Sequence, residues 1–111
     1  MAKQSLEANV IVVLVTCPSL RVARRLSEAL IEGRLAACVN ILPQIESVFR
    51  WEGRVDRSRE ALLLIKTTAA CFKRLRTAVI ERHPYDVPEV IALRLHGGST
   101  PYLRWVIESV S

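Results

Sequence analysis

The chain has 111 residues, 50% of them hydrophobic and 24% charged, which suits one compact domain with a real core and a modest stability margin. No apolar run approaches the roughly 20 residues that span a bilayer, and the polar opening "MAKQSLEAN" reads as a loose tail over residues 1–9 of a cytoplasmic protein. Cys17, Cys38 and Cys71 are odd in number and scattered, which excludes a disulfide framework, and a net charge of +5 is too small to establish a nucleic-acid role.

The first element is "VIVVLV", residues 10–15, an uninterrupted β-branched run suited to a strand covered on both faces. "TCPS" stops it. A helix follows over Leu20–Glu32, with Val22, Ala23, Leu26, Ala29 and Leu30 on one face and Arg21, Arg24, Arg25 and Glu28 opposite. Ser19 is its expected N-cap and Gly33 its stop. "LAACVNIL" resumes strand character until Pro43, which predicts a bend or bulge. Beyond it "QIESVFRW" alternates, with Ile45, Phe49 and Trp51 opposite Glu46 and Arg50. "WEGR" is a tight turn through Gly53, and the return strand runs from about Val55 through "ALLLIKT". This hairpin is longer than a small sheet needs.

Thr68 is the expected cap of a second helix whose stripe is Phe72, Leu75, Ala78 and Val79. "HPYDVP" ends it, since a residue before proline disfavours the α region. "EVIALRL" is a fourth strand and "HGGST" a loop. Thr100 and Pro101 then read as N-cap and first position of a final helix. The order β-α-β-β-α-β with a trailing helix is α+β, the ferredoxin-like arrangement with an antiparallel sheet and both main helices on one face. Residues 10–111 therefore form a single domain.

The sequence carries no nucleophile elbow, phosphate loop or dinucleotide fingerprint. "HGGS" is a loop before a helix, and "TCPSLR" lacks the glycines that wrap an anion; no enzymatic activity is expected. His83, His96 and the cysteines have no paired chelating spacing. The central strands hold no aromatic ring on which a base could stack, so specific RNA binding lacks a mechanism. The apolar open face of the sheet needs a cover, which predicts self-association, with Trp51 of the hairpin and Tyr102, Trp105 and Val106 of the last helix as candidate covers.

Read in order, "VTCPS", "RLAACVNILPQIESVFRWEGRV", "LLIKT", "HPYDVPEVIAL" and "YLRWV" resemble the CutA family of divalent-cation tolerance proteins over residues 11–107. The resemblance implies a tight homotrimer like the PII signalling proteins, without enzymatic activity, acting in the response to copper and other divalent cations. It implies no required cofactor, copper or another divalent cation as an optional ligand, and no partner in membrane or nucleic acid. The alternative it leaves is a PII-like sensor or adaptor that takes a small anion or a protein. Cys38, Trp51, Pro88, Tyr102 and Trp105 match characteristic family positions, and Lys66, His83 and Tyr85 match an intersubunit cleft lining. His83 is also the one metal-ligand candidate retained: Val15 and Arg82 stand where a copper site attributed to some members has a cysteine and a second histidine. Cys17 lies two residues beyond the first of these, and Glu81 and Asp86 are carboxylates near the second.

Overall fold

A computed structural model describes residues 5–111. Its frame is a four-stranded antiparallel sheet in the order β2-β3-β1-β4. β1 (Val10–Cys17) is central, pairing along its whole length with β3 (Arg54–Thr68) and over five residues with β4 (Val90–Arg94). Period-two alternation turns Ile11, Val13, Val15 and Cys17 of β1, with Ala61, Leu63 and Ile65 of β3, to one face. There they meet Ala23, Leu26 and Leu30 of α2 (Leu20–Glu32) and Leu75 and Val79 of α3 (Phe72–Arg82). Each valine, leucine and isoleucine among them removed from water contributes about 1.5–3 kcal/mol, so this layer holds the domain together. The ferredoxin-like α+β arrangement expected from sequence is the one observed.

The ends of α2 show what the sequence does and does not specify. Ser19 Oγ accepts the Val22 N–H at 3.2 Å, as its N-cap role requires. The helix stops at Gly33, yet Gly33 has φ −78° and Arg34 takes the left-handed turn at φ 56°. Arg34 N–H bonds Ile31 O, and Leu35 N–H bonds Leu30 O, the pair that defines a Schellman ending.

β2 (Cys38–Trp51) and β3 form the long hairpin. Glu52 and Gly53, both at positive φ, make the two-residue turn whose twist matches the strands. Leu42 pairs with Leu62 and Ile45 with Glu60, so Pro43 and Gln44 lie against the single residue Ala61. This is the bulge that Pro43 announces. It switches parity: Cys38, Asn40 and Leu42 share the face away from the helices, and after the bulge Ile45, Ser47, Phe49 and Trp51 do. Because β1 reaches only to Ala61, the outer hairpin overhangs the sheet, and the longest dimension is 51 Å.

Three local expectations are corrected. Thr68 makes no capping hydrogen bond, because a 3-10 turn, Ala69–Cys71, intervenes before α3. Ser99, one residue earlier than Thr100, holds the N-cap position of α4 (Thr100–Ser109) without a side-chain capping bond, with Pro101 inside the first turn. Of the expected tail over residues 1–9, residues 1–4 lie outside the described residues. Leu6–Asn9 form one helical turn, α1, with Ser5 Oγ accepting the Ala8 N–H. Leu6 packs with Val10, Leu103 and Val106 in a second apolar cluster, by which α4 covers the Val10 end of the sheet's other face. The rest of that face, including Leu14, Leu62, Leu64, Ile91 and Leu93, has no cover in the protomer; Ile91 and Leu93 are each 48% exposed. Among the described residues no helix is long and apolar enough to cross a membrane.

Candidate functional site

The open face carries a polar group at each end. At one end Cys38 stands opposite Lys66 in register. The Lys66 ammonium donates to Asn40 Oδ1, and the Cys38 thiol approaches the same oxygen at 3.8 Å. Tyr102 comes over from α4, its ring 5.6 Å from that of Trp105. Burial, followed by the neighbouring Cys38, pushes the Tyr102 phenol above its ordinary pKa.

At the other end α3 terminates into the 83–89 segment. His83 leaves the helix in an extended conformation, its N–H still bonded to Val79 O, and its side chain is only 8% exposed. Nε2 lies 2.7 Å from Thr16 O. A carbonyl can only accept, so Nε2 carries the proton. Nδ1 in turn accepts the Tyr85 N–H at 3.1 Å. One neutral tautomer satisfies both contacts, and neither ring nitrogen is spare. The Tyr85 hydroxyl donates to Glu60 Oε2 at 2.9 Å, and its ring lies 4.8 Å from the imidazole.

Glu60 is also only 8% exposed, at the point where β3 leaves the cover of β1. Burial, reinforced by the hydrogen bond and charge of Glu60, pushes the Tyr85 phenol up to about 12. Burial and then Glu60 likewise push the Cys17 thiol up to about 11, so this cysteine is an inert core thiol at neutral pH. Beside this cluster a groove of 760 Å³ opens between the overhanging hairpin and the 84–89 segment.

Within one protomer Lys66 and the His83–Tyr85 pair are not brought together. Glu60 is six residues from Lys66 along β3, about 20 Å at strand rise. Val15 and Cys17 are fully buried toward the helices, whereas Glu81, Arg82 and Asp86 are exposed. Among the described residues, no group of three or more His, Cys, Asp and Glu side chains is placed to hold a metal ion. Trp51 lies near the hairpin tip, 52% exposed, and half-buried Pro88 precedes β4. The sequence reading missed Glu60, Asn40 and Thr16. Glu60 left one signal, an acid directly before the apolar "ALLLI". Thr16 left none, since it acts through its backbone carbonyl.

Comparison with known proteins agrees with this architecture. The family described as "CutA1 divalent ion tolerance protein" matches residues 11–109. The divalent-cation tolerance protein CutA of Thermus thermophilus is 50% identical over 98 residues, 88% of this chain and 95% of that protein. Human "Protein CutA" is 47% identical over 100 residues, 87% of this chain but 56% of the human protein, so the chain spans little more than half of that relative. A solved Thermus thermophilus structure, 49% identical, superposes with a TM-score of 0.88 over 90% of this chain and 97% of that one. The CutA1 structure from Oryza sativa, 48% identical, does so at 0.89 over 95% and 96%. With nearly its whole length matched in sequence and in fold, the chain belongs to the CutA1 divalent ion tolerance family.

Proposed function

We propose that the chain works as a non-enzymatic homotrimer in the response to divalent cations, copper among them, with a cleft completed between subunits. The observation that carries this reading is the open face itself. It is apolar in the middle, with cationic Lys66 at one end and anionic Glu60 at the other. Such a face matches a second copy head to tail, covering the leucines and joining opposite charges, and head-to-tail contacts close into a ring when the rotation between copies closes. Lys66 of one copy then meets His83 and Tyr85 of the next, and the three expected cleft residues form one lining. No resident cofactor is needed, and three unpaired cysteines fit a reducing, cytoplasmic setting.

In this reading His83 is a brace, because metal ligation through Nδ1 has to displace the Tyr85 N–H. Copper then acts on the trimer weakly and at other donors. The test is copper(II) calorimetry on material whose mass is fixed by sedimentation, wild type beside His83→Gln. A trimer with weak isotherms alike in both proteins is expected. A monomer, or a tight isotherm lost in the variant, would sink the reading. The size of the groove favours a second reading, a PII-like small-ligand sensor built on the same trimer.

A further inference from the structure

The charges of the protomer are sorted between its two sides. The carboxylates Asp56, Glu60, Asp86 and Glu89 line the groove on the open side of the sheet. On the helix side, arginines gather at the end where the hairpin leaves the body, and three observations place them there. β1 ends with Cys17 against Ala61, so α2 begins beside the hairpin base, with Arg21, Arg24 and Arg25 opposite the stripe it turns to the core. The contact of His83 with Thr16 O brings the last turn of α3, and with it Arg82, to the same end. Along β3, Arg57 and Arg59 keep the parity of Ala61 and Leu63 and emerge on this side, beyond the helices. All six arginines are exposed, and the carboxylates among them are Glu28, Glu46 and Glu81. Among the described residues only Arg57 is ion-paired, with Glu46 at 3.1 Å.

A basic chain with its cations clustered on one face carries the electrostatic footprint of a nucleic-acid backbone. The net charge of +5 does not show this by itself; its placement does. The shape favours duplex DNA. The overhanging hairpin is a free two-stranded ribbon, which the major groove of B-DNA admits, whereas that of A-form RNA is too deep and narrow. A single strand is held by stacking on aromatic rings. Here Phe49, Trp51 and Tyr85 line the opposite side, Phe72 packs on the core, and Tyr102 and Trp105 sit on α4 over the other face. The protomer's 51 Å length matches about 15 base pairs at 3.4 Å each. We infer that the helix side binds duplex DNA through its phosphates, without reading bases. Arg57 and Arg59 hold the backbone along the ribbon, and Arg21, Arg24, Arg25 and Arg82 hold the flanking phosphates. The family resemblance implied no nucleic-acid partner; this contact is independent of metal response and leaves the open face free for assembly.

The probe is a fluorescein-labelled duplex DNA of about 25 base pairs and arbitrary sequence, long enough to cover that footprint. Its anisotropy is followed as the intact protein is added at about 0.1 M salt and then as salt is raised. Saturable binding is expected, its logarithm falling linearly with the logarithm of salt. Arg21→Gln and Arg59→Gln should each weaken it about eightfold and lower the salt slope by about 0.9, the loss of one phosphate contact. Glu46→Gln should do the reverse: releasing Arg57 from an exposed ion pair strengthens binding about threefold. Arg104→Gln removes the same charge from α4, away from this face, and should change affinity less than about twofold, because such distant charges are screened. All four side chains are exposed, so the variants leave the core untouched. Absence of saturation, or a loss in Arg104→Gln equal to that in Arg59→Gln, would overturn the inference, as would weaker binding in Glu46→Gln. Tighter binding of a single strand or of duplex RNA would overturn it too. So would equal displacement, charge for charge, by polyglutamate, which would make an acidic protein segment the fitting occupant.

Discussion

Tyr85 shows how a single side chain ties the site to stability. Its hydroxyl donates a hydrogen bond to Glu60 while its N–H fixes the His83 tautomer, so one residue holds both neighbours. Its phenol rises from an ordinary 10.0 to about 12 in the fold. A raised pKa means that the folded state holds the proton more tightly. The associated stability is full below pH 10 and is lost as pH climbs from 10 through 12. Cys17, raised from 9.0 to about 11, adds a loss of the same sign between pH 9 and 11. Tyr85→Phe should cost about 1.5–3 kcal/mol at neutral pH, the loss of one hydrogen bond to a charged acceptor. It should also flatten the alkaline fall between pH 10 and 12 while leaving the Cys17 portion. Urea midpoints at fixed protein concentration, at pH 7.5, 9.5 and 11, measure this. Parallel curves for the two proteins would show that the phenol does not carry the alkaline limb. His83 and Tyr85 were legible in the sequence as an imidazole and a phenol beside prolines. Their partners were not, because a backbone carbonyl 67 positions away leaves no mark on local pattern.

At the scale of elements, the fold was largely legible because each signal was local and chemical. "VIVVLV" had the apolar continuity of a central strand, Ser19 the hydroxyl of an N-cap, and Pro43 the missing donor of a bulge. What failed were positions where neighbours compete for one role. Gly33 had the right chemistry for a left-handed residue, but the Schellman bonds fall one residue later and place that conformation on Arg34. Thr100 missed its cap by one residue and Thr68 by an intervening 3-10 turn, offsets that the hydrogen-bond ladder decides and composition does not. The strained Arg34 makes a prediction. A left-handed L-residue costs roughly 1–2 kcal/mol, partly offset by the entropy that glycine loses on folding. Arg34→Gly should stabilise the chain by about 0.5–1 kcal/mol, even though it removes the exposed contact from Arg34 to Ser111 O. A thermal or urea midpoint shift measures it, and a destabilised variant would mean that this contact or local packing outweighs the backbone strain.

At the scale of the whole molecule, the two faces of the sheet obey different rules. The helix-side face is closed by α2 and α3, and its side chains are core in any assembly. The other face is closed only at its Val10 end, by α4, and Leu62, Leu64, Ile91 and Leu93 stay uncovered in the protomer, on the face by which the proposed trimer would assemble. This separation allows assembly to be broken without unfolding the protomer. Leu64 lies near the centre of the uncovered face and takes no part in the helix-side core. In the free protomer a carboxylate there meets water and costs little. Buried against a second copy without a counter-charge, it costs several kcal/mol per interface, and a closed ring repeats that cost at every interface. Leu64→Glu should therefore sediment as a monomer at micromolar concentration, with the far-ultraviolet circular dichroism of the wild type. Leu63→Ala, one residue along but turned to the helices, should instead lose about 2–5 kcal/mol of stability through its cavity while its folded fraction still assembles. If Leu64→Glu stayed trimeric, the open leucine face would not be the assembly surface, and the joining of Lys66 to His83 and Tyr85 across subunits would lose its basis.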